Sequence, residues 1–138
     1  MRTGAAVAVA VWVCAGCAGA AQEMLFFRSP SGNIHCLLHD GPNWRGARCD
    51  IREGVVSFPV RPRRCTADWG RSFEVSAEGV AGPGCAGDTV ADPAARVLPY
   101  GASLTLGGVT CRSERSGMTC TNRAGRGFTL ARAGQRVF

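Results

Sequence analysis

Two stretches of this chain each set a pair of cysteines symmetrically about a polar turn, and this symmetry constrains the fold more than any other feature. In "CLLHDGPNWRGARC", residues 36–49, a hairpin centred between Pro42 and Asn43 pairs residues whose numbers sum to 85, as 36 and 49 do. In "CRSERSGMTC", residues 111–120, a turn centred between Arg115 and Ser116 pairs numbers summing to 231, as 111 and 120 do. Residues directly opposed on neighbouring strands lie close enough for a disulfide, which prefers a Cα separation of about 5.5 Å. The spacing therefore predicts the bridges Cys36–Cys49 and Cys111–Cys120, and Cys65–Cys85 follows by elimination. A three-residue loop with Gly117 in the left-handed region would slip the second register by one.

Strand periodicity supports this reading. Side chains alternate between faces, so Ile34, Cys36 and Leu38 share one face with Ala47, Cys49 and Ile51. Asn33, His35, Leu37 and His39 share the other with Arg48 and Asp50. In the second hairpin Val109, Cys111, Met118 and Cys120 face inward, and Thr110, Arg112, Thr119 and Thr121 face water. Further strands are expected in "MLFFR" (24–28), "SFEVS" (72–76), "RVLPY" (96–100), "ASLTL" (102–106) and "GFTLA" (127–131). Gly and Pro punctuate the chain every few residues, and no apolar run of helical period is long enough for a helix. The expected fold is all-β, a small disulfide-stapled sheet or barrel built from hairpins.

The start of the chain sets the expected compartment. "AAVAVAVWVCAGCAGA" after Arg2 is too short to span a bilayer and has the length of a signal-peptide core. Residues 1–20 read as a signal peptide and 21–138 as a single domain, secreted or periplasmic, with no transmembrane segment in the mature chain. A rival reading anchors a lipoprotein through Cys17, although Cys14 stands where an aliphatic residue is usual. "CAGC" at 14–17 leaves with the leader. Of eight cysteines, six then remain, an even number that reads as a disulfide framework. No C-x-x-C pair survives in the mature chain, so no metal or cofactor is expected.

The chain carries sixteen arginines, no lysine and ten acidic residues, a net charge of +6, or +5 without Arg2. Such a balance draws an exported protein toward an anionic cell-envelope component. The densest cluster, "RPRRC" with Arg61, Arg63 and Arg64, is kept extended by Pro59 and Pro62 and has no interleaved aromatic, which argues for a solvated loop and against nucleic acid.

No catalytic constellation is placed by spacing. His35 and His39, four apart on a strand, are separated by roughly 13 Å and read as surface histidines. Ser31, His35 and Asp88 contain the residue types of a nucleophilic triad, but nothing makes them meet. Ligand-binding candidates are Asp68 and Trp69 in "DWG", Asp88 in "GDTV" and Tyr100 in "LPYG". Trp69 reads first as a core plug, with a sugar-stacking platform beside Asp68 as the functional alternative. Asp88 reads first as a turn residue, and Tyr100 as a phenol hydrogen-bonded into the fold.

The phrases "FFRSPSGNIHC", "RCDI", "DWG", "CAGDTV", "VLPYG", "GMTCTN" and "GRGFTLAR", in order from Phe27 to Phe138, resemble a family of small exported bacterial proteins catalogued as a domain of unknown function. The resemblance implies six cysteines and a secreted or periplasmic setting, and it implies no activity. Arg126 stands where the family's pattern leads one to expect histidine, and arginine cannot serve as a base at neutral pH. The expected function is a non-catalytic binding or structural module of the cell envelope. The alternative is a small secreted hydrolase or hydrolase inhibitor, the latter presenting Arg115 on the "RSERSG" loop.

Overall fold

The computed structural model describes Gly16 and residues 21–138; the rest of the expected signal peptide, with Cys14 and Cys17, lies outside the described residues. Among the described residues eleven strands form two sheets. The first comprises β1 (Glu23–Arg28), β2 (Ile34–Asp40), β3 (Arg45–Ile51), β4 (Ser72–Ser76), β5 (Ala81–Pro83) and β6 (Arg96–Val97), in the order β5-β4-β3-β2-β1-β6. The second comprises β7 (Ser103–Leu106), β8 (Val109–Glu114), β9 (Gly117–Asn122), β10 (Gly127–Ala131) and β11 (Gly134–Val137), ordered β11-β10-β9-β8-β7. All pairings are antiparallel except β1 with β6. The hairpin-built expectation holds, and the sheet-or-barrel alternative resolves into two facing sheets.

The alternation seen in the sequence decides which face is inside. Phe27, Leu38, Phe73 and Val75 of the first sheet meet Val109, Met118, Phe128 and Leu130 of the second in one core. Phe73 lies 6.1 Å from Phe128 and 5.7 Å, edge-on, from Phe58, separations within the favourable range for aromatic pairs. The β2–β3 register opposes Cys36 to Cys49, and the β8–β9 register opposes Cys111 to Cys120. Glu114 pairs with Gly117, so the second turn is the two-residue Arg115-Ser116 and the one-residue slip does not occur. Gly117 carries φ +142°, and a Cβ there would strike the Leu130 carbonyl, so the position needs glycine.

Three disulfides join Cys36 to Cys49, Cys65 to Cys85 and Cys111 to Cys120, with Cα separations of 4.1, 5.6 and 4.0 Å. The two hairpin bridges are fully buried, and the Cys49 and Cys120 sulfurs stand 3.7 Å apart across the gap between the sheets. They fill the middle of the core as polarizable apolar groups.

Apart from one-residue shifts at strand ends, three strands depart from expectation, one by its length and two by forming at all. "RVLPY" forms only the two-residue β6, because Pro99 has no N–H to continue a ladder and Leu98 turns into the core. β5, "AGP", has the composition of a turn, and its proline is tolerated at a sheet edge. β11 forms as the outer hairpin partner of β10, and Gln135 within it latches the segment at 55–57. Gln135 Oε1 accepts from the Ser57 N–H at 3.0 Å, and its amide donates to the Val55 carbonyl at 2.8 Å. Asn122 fastens the two sheets at the other end. Its amide donates to the Ser76 and Gly79 carbonyls, and its oxygen accepts from the Ala124 and Arg126 N–H groups.

Candidate functional site: a strapped face and the groove beside it

The outward face of the six-stranded sheet is half covered by a strap, residues 86–97. The strap leaves the Cys65–Cys85 bridge, pairs Ala86 with Asp68, and ends in β6 against β1. Between these ends the sheet holds it by side chains. Arg48 donates to the Asp88 carboxylate and carbonyl, both at 2.8 Å. Asp50 Oδ2 accepts from the Thr89 hydroxyl at 2.9 Å and the Val90 N–H at 3.0 Å. His35 Nδ1 accepts from the Asp92 N–H at 3.3 Å, and Arg28 donates to the Ala95 carbonyl at 3.2 Å. Arg28, His35 and Asp50 form one cross-strand row on β1, β2 and β3, so a single row of outward side chains grips the strap.

This arrangement corrects the reading of His35 as a surface histidine. Its side chain points outward, but the strap lies over it and leaves the residue 3% exposed. Because the Asp92 N–H can only donate, Nδ1 is the acceptor, and the ring proton sits on Nε2, facing the Gly32 carbonyl at 3.0 Å. His39 remains partly exposed. It bonds the Trp44 carbonyl at 2.7 Å and stacks on the Trp44 ring with centroids 5.6 Å apart.

Beside the strap the face stays open as a groove of about 430 Å³. Its floor is the next cross-strand row, Phe26, Leu37, Arg48 and Glu74 on β1 to β4. Trp44, closing the β2–β3 turn, and Asp88 to Val90 of the strap also line it. The Trp44 ring can lie against the sheet because Gly46 has no side chain; a Cβ there would collide with the ring and the Val75 carbonyl. Phe26 stays 39% exposed and Met24, one row further along, 47%.

The electrostatics of the groove centre on Arg48. Its Nε donates to Asp50 and Ser72, its Nη1 to Asp88, and its Nη2 to Asp50 and the Asp88 carbonyl. Burial works against its charge, yet the hydrogen bonds and charges of Asp88 and Asp50 outweigh this and hold its pKa above the ordinary arginine value. In turn the Arg48 hydrogen bond, and then its charge, hold Asp88 below the usual aspartate range. Glu74, exposed on the same row, forms no ion pair and no side-chain hydrogen bond among the described residues.

Of the four binding candidates read from the sequence, Asp88 alone lines this groove. Asp68 is exposed and lines a small separate cleft with Arg71. Trp69 is half-buried, and its indole N–H is buried without a partner among the described residues. Tyr100 is 40% exposed and its hydroxyl has no hydrogen-bond partner among the described residues; the Arg115 guanidinium instead lies 5.0 Å over its ring. Ser31, His35 and Asp88 do not converge, for Ser31 bonds Ser29 and the Asn33 N–H while Asp88 turns one carboxylate oxygen to Arg48. Sequence reasoning missed Phe26, Trp44, Arg48 and Glu74. The outward positions of Phe26 and Glu74 in "MLFFR" and "SFEVS" were a signal, but only the register across four strands brings them into one row. A larger cleft of about 540 Å³, between Asp40, Arg45, Glu78 and Arg123, is open and has no aromatic wall.

A family model matches residues 7–138, described as a family of unknown function (DUF6636). The chain belongs to this family. The match takes in both hairpins, the strap and every groove residue. No curated protein and no solved structure matches the chain.

Proposed function

We propose that this protein is a non-catalytic binding module of the cell envelope whose ligand seat is the groove beside the strap. The observation that carries this reading is the groove's construction: exposed Phe26 with Leu37 and Trp44 on one side, and a polar wall pinned in place by Arg48 and Asp50. A site that binds by shape needs its walls held rigid before the ligand arrives, and the strap's anchors do this. We further read residues 1–20 as a signal peptide and 21–138 as one secreted or periplasmic domain. Three disulfides fit an oxidising compartment. No helix among the described residues is long and apolar enough to cross a membrane. The net positive charge, with Arg61, Arg63 and Arg64 exposed, favours residence near anionic envelope polymers.

Backbone NMR shift mapping with a panel of oligosaccharides, amines and fatty acids tests the seat. The reading expects saturable shifts at Phe26, Leu37, Trp44, Glu74 and Asp88 to Val90 that vanish in Leu37→Arg. Saturable shifts mapping only to another surface would overturn it.

A further inference from the structure

Resting on the groove as the ligand seat, we infer that its ligand is an organic cation on an apolar body, an alkyl or aryl ammonium or guanidinium. The apolar body lies against Phe26, Leu37 and Trp44, and the charge is received by the Glu74 carboxylate and the unspent oxygen of Asp88. The argument begins with a charge census. The groove lining holds two carboxylates, Glu74 and Asp88, and one guanidinium, Arg48, while the row beneath the strap adds one of each, Asp50 and Arg28. This is a locally acidic seat in a chain of net charge +6.

Donor and acceptor capacity narrows the ligand further. Of the five N–H groups of Arg48, four are engaged by Asp50, Ser72 and Asp88. The Thr89 hydroxyl donates to Asp50 and accepts from the Ala91 N–H, so it too is spent. What remains unspent among the described residues is chiefly acceptor: both oxygens of Glu74 and one of Asp88, against a single Arg48 N–H and the Trp44 indole N–H. A ligand whose polar end only donates matches this surface. A phosphate or carboxylate, which only accepts, meets like charge, and a sugar hydroxyl finds acceptors but few donors.

The shape beside Glu74 agrees. β5 carries no side chain at Gly82, where even a Cβ would meet nothing within 4 Å, and Gly84 lies beneath the Glu74 carboxylate. One flank of that carboxylate is therefore bare backbone, leaving room for a bulky ammonium. Aromatic walls add attraction for a cation that neutral ligands lack.

Three probes with one aromatic body and different heads test the inference on the oxidised mature protein: phenethylammonium, phenethyl alcohol and 3-phenylpropionate. The expected result is saturable NMR shifts at the groove residues with the ammonium roughly tenfold tighter than the alcohol, and no saturable binding of the carboxylate. Glu74→Gln, an exposed substitution that leaves the fold intact, should weaken the ammonium about fivefold and leave the alcohol unchanged. If ammonium and alcohol bind the groove equally, or if Glu74→Gln changes neither, the cation assignment fails while the groove stands. If none of the three shifts the groove residues, both readings fail.

Discussion

Replacing Asp50 with alanine should release the strap at a cost of about 3–5 kcal/mol, the range for removing one partner of a buried ion pair. The magnitude is worked from four hydrogen bonds on one carboxylate that is 14% exposed. Two of them receive Arg48 at 3.1 and 3.2 Å, and two hold the Thr89 hydroxyl and the Val90 N–H. Arg48 keeps Asp88 and Ser72 as partners, so its share of the loss is partial. Val90 of the strap is buried and its N–H is left unsatisfied, which adds the desolvation of a lost bond, roughly 1–3 kcal/mol. Against a total stability of about 5–15 kcal/mol this is a large fraction. Urea unfolding followed by circular dichroism measures the global loss, and amide exchange of a peptide covering 86–95 reports whether the opening is local. Asp88→Ala should cost much less, because that carboxylate is 80% exposed. A loss below about 1 kcal/mol for Asp50→Ala, with strap exchange unchanged, would refute the claim that this side chain holds the strap.

Asn122→Ala should destabilise by about 1–3 kcal/mol, since it strips two half-buried carbonyls and two amides of their shared partner; an unfolding midpoint shift under a quarter of that would remove Asn122 as the inter-sheet fastener. The Arg48–Asp88 pair should weaken in acid: with its folded pKa depressed, Asp88 contributes stability in full above the ordinary aspartate value, and the contribution is lost as pH falls through the folded value. Carboxyl NMR titration should show that midpoint return to the ordinary value in Arg48→Met, and an unmoved midpoint would count against the pair. In Cys36→Ser the Cys49 thiolate sits beside the Cys111–Cys120 bridge, 3.7 Å from the Cys120 sulfur. Its attack on Cys120 would form a Cys49–Cys120 bond, break Cys111–Cys120 and release the Cys111 thiolate, with no outside oxidant. Peptide mapping without reduction should therefore find the inter-sheet bridge; a free Cys49 with Cys111–Cys120 intact would rule the exchange out.

Much of the architecture was legible because it is local. The hairpin registers of β2–β3 and β8–β9 follow from cysteine spacing and turn position, and period-two alternation assigns Ile34, Leu38, Met118 and their neighbours to the core. Side chains on a strand have only two directions, so a short stretch of sequence decides which residues share a face. It does not decide what lies against that face. His35 and Leu37 point the same way on the same strand, yet a segment more than fifty residues downstream buries the first and leaves the second open to the groove. Nothing near Arg48 announces that its partner is Asp88, forty residues on, nor that Glu74 joins its row from a strand beyond an irregular stretch of twenty residues. The sequence by itself determined the hairpins, their staples and the inward face, since turn and strand geometry act over a few residues. Only the tertiary structure decided the strap, the groove and the meeting of the two central disulfides, since each depends on how distant elements pack together, which no local pattern encodes.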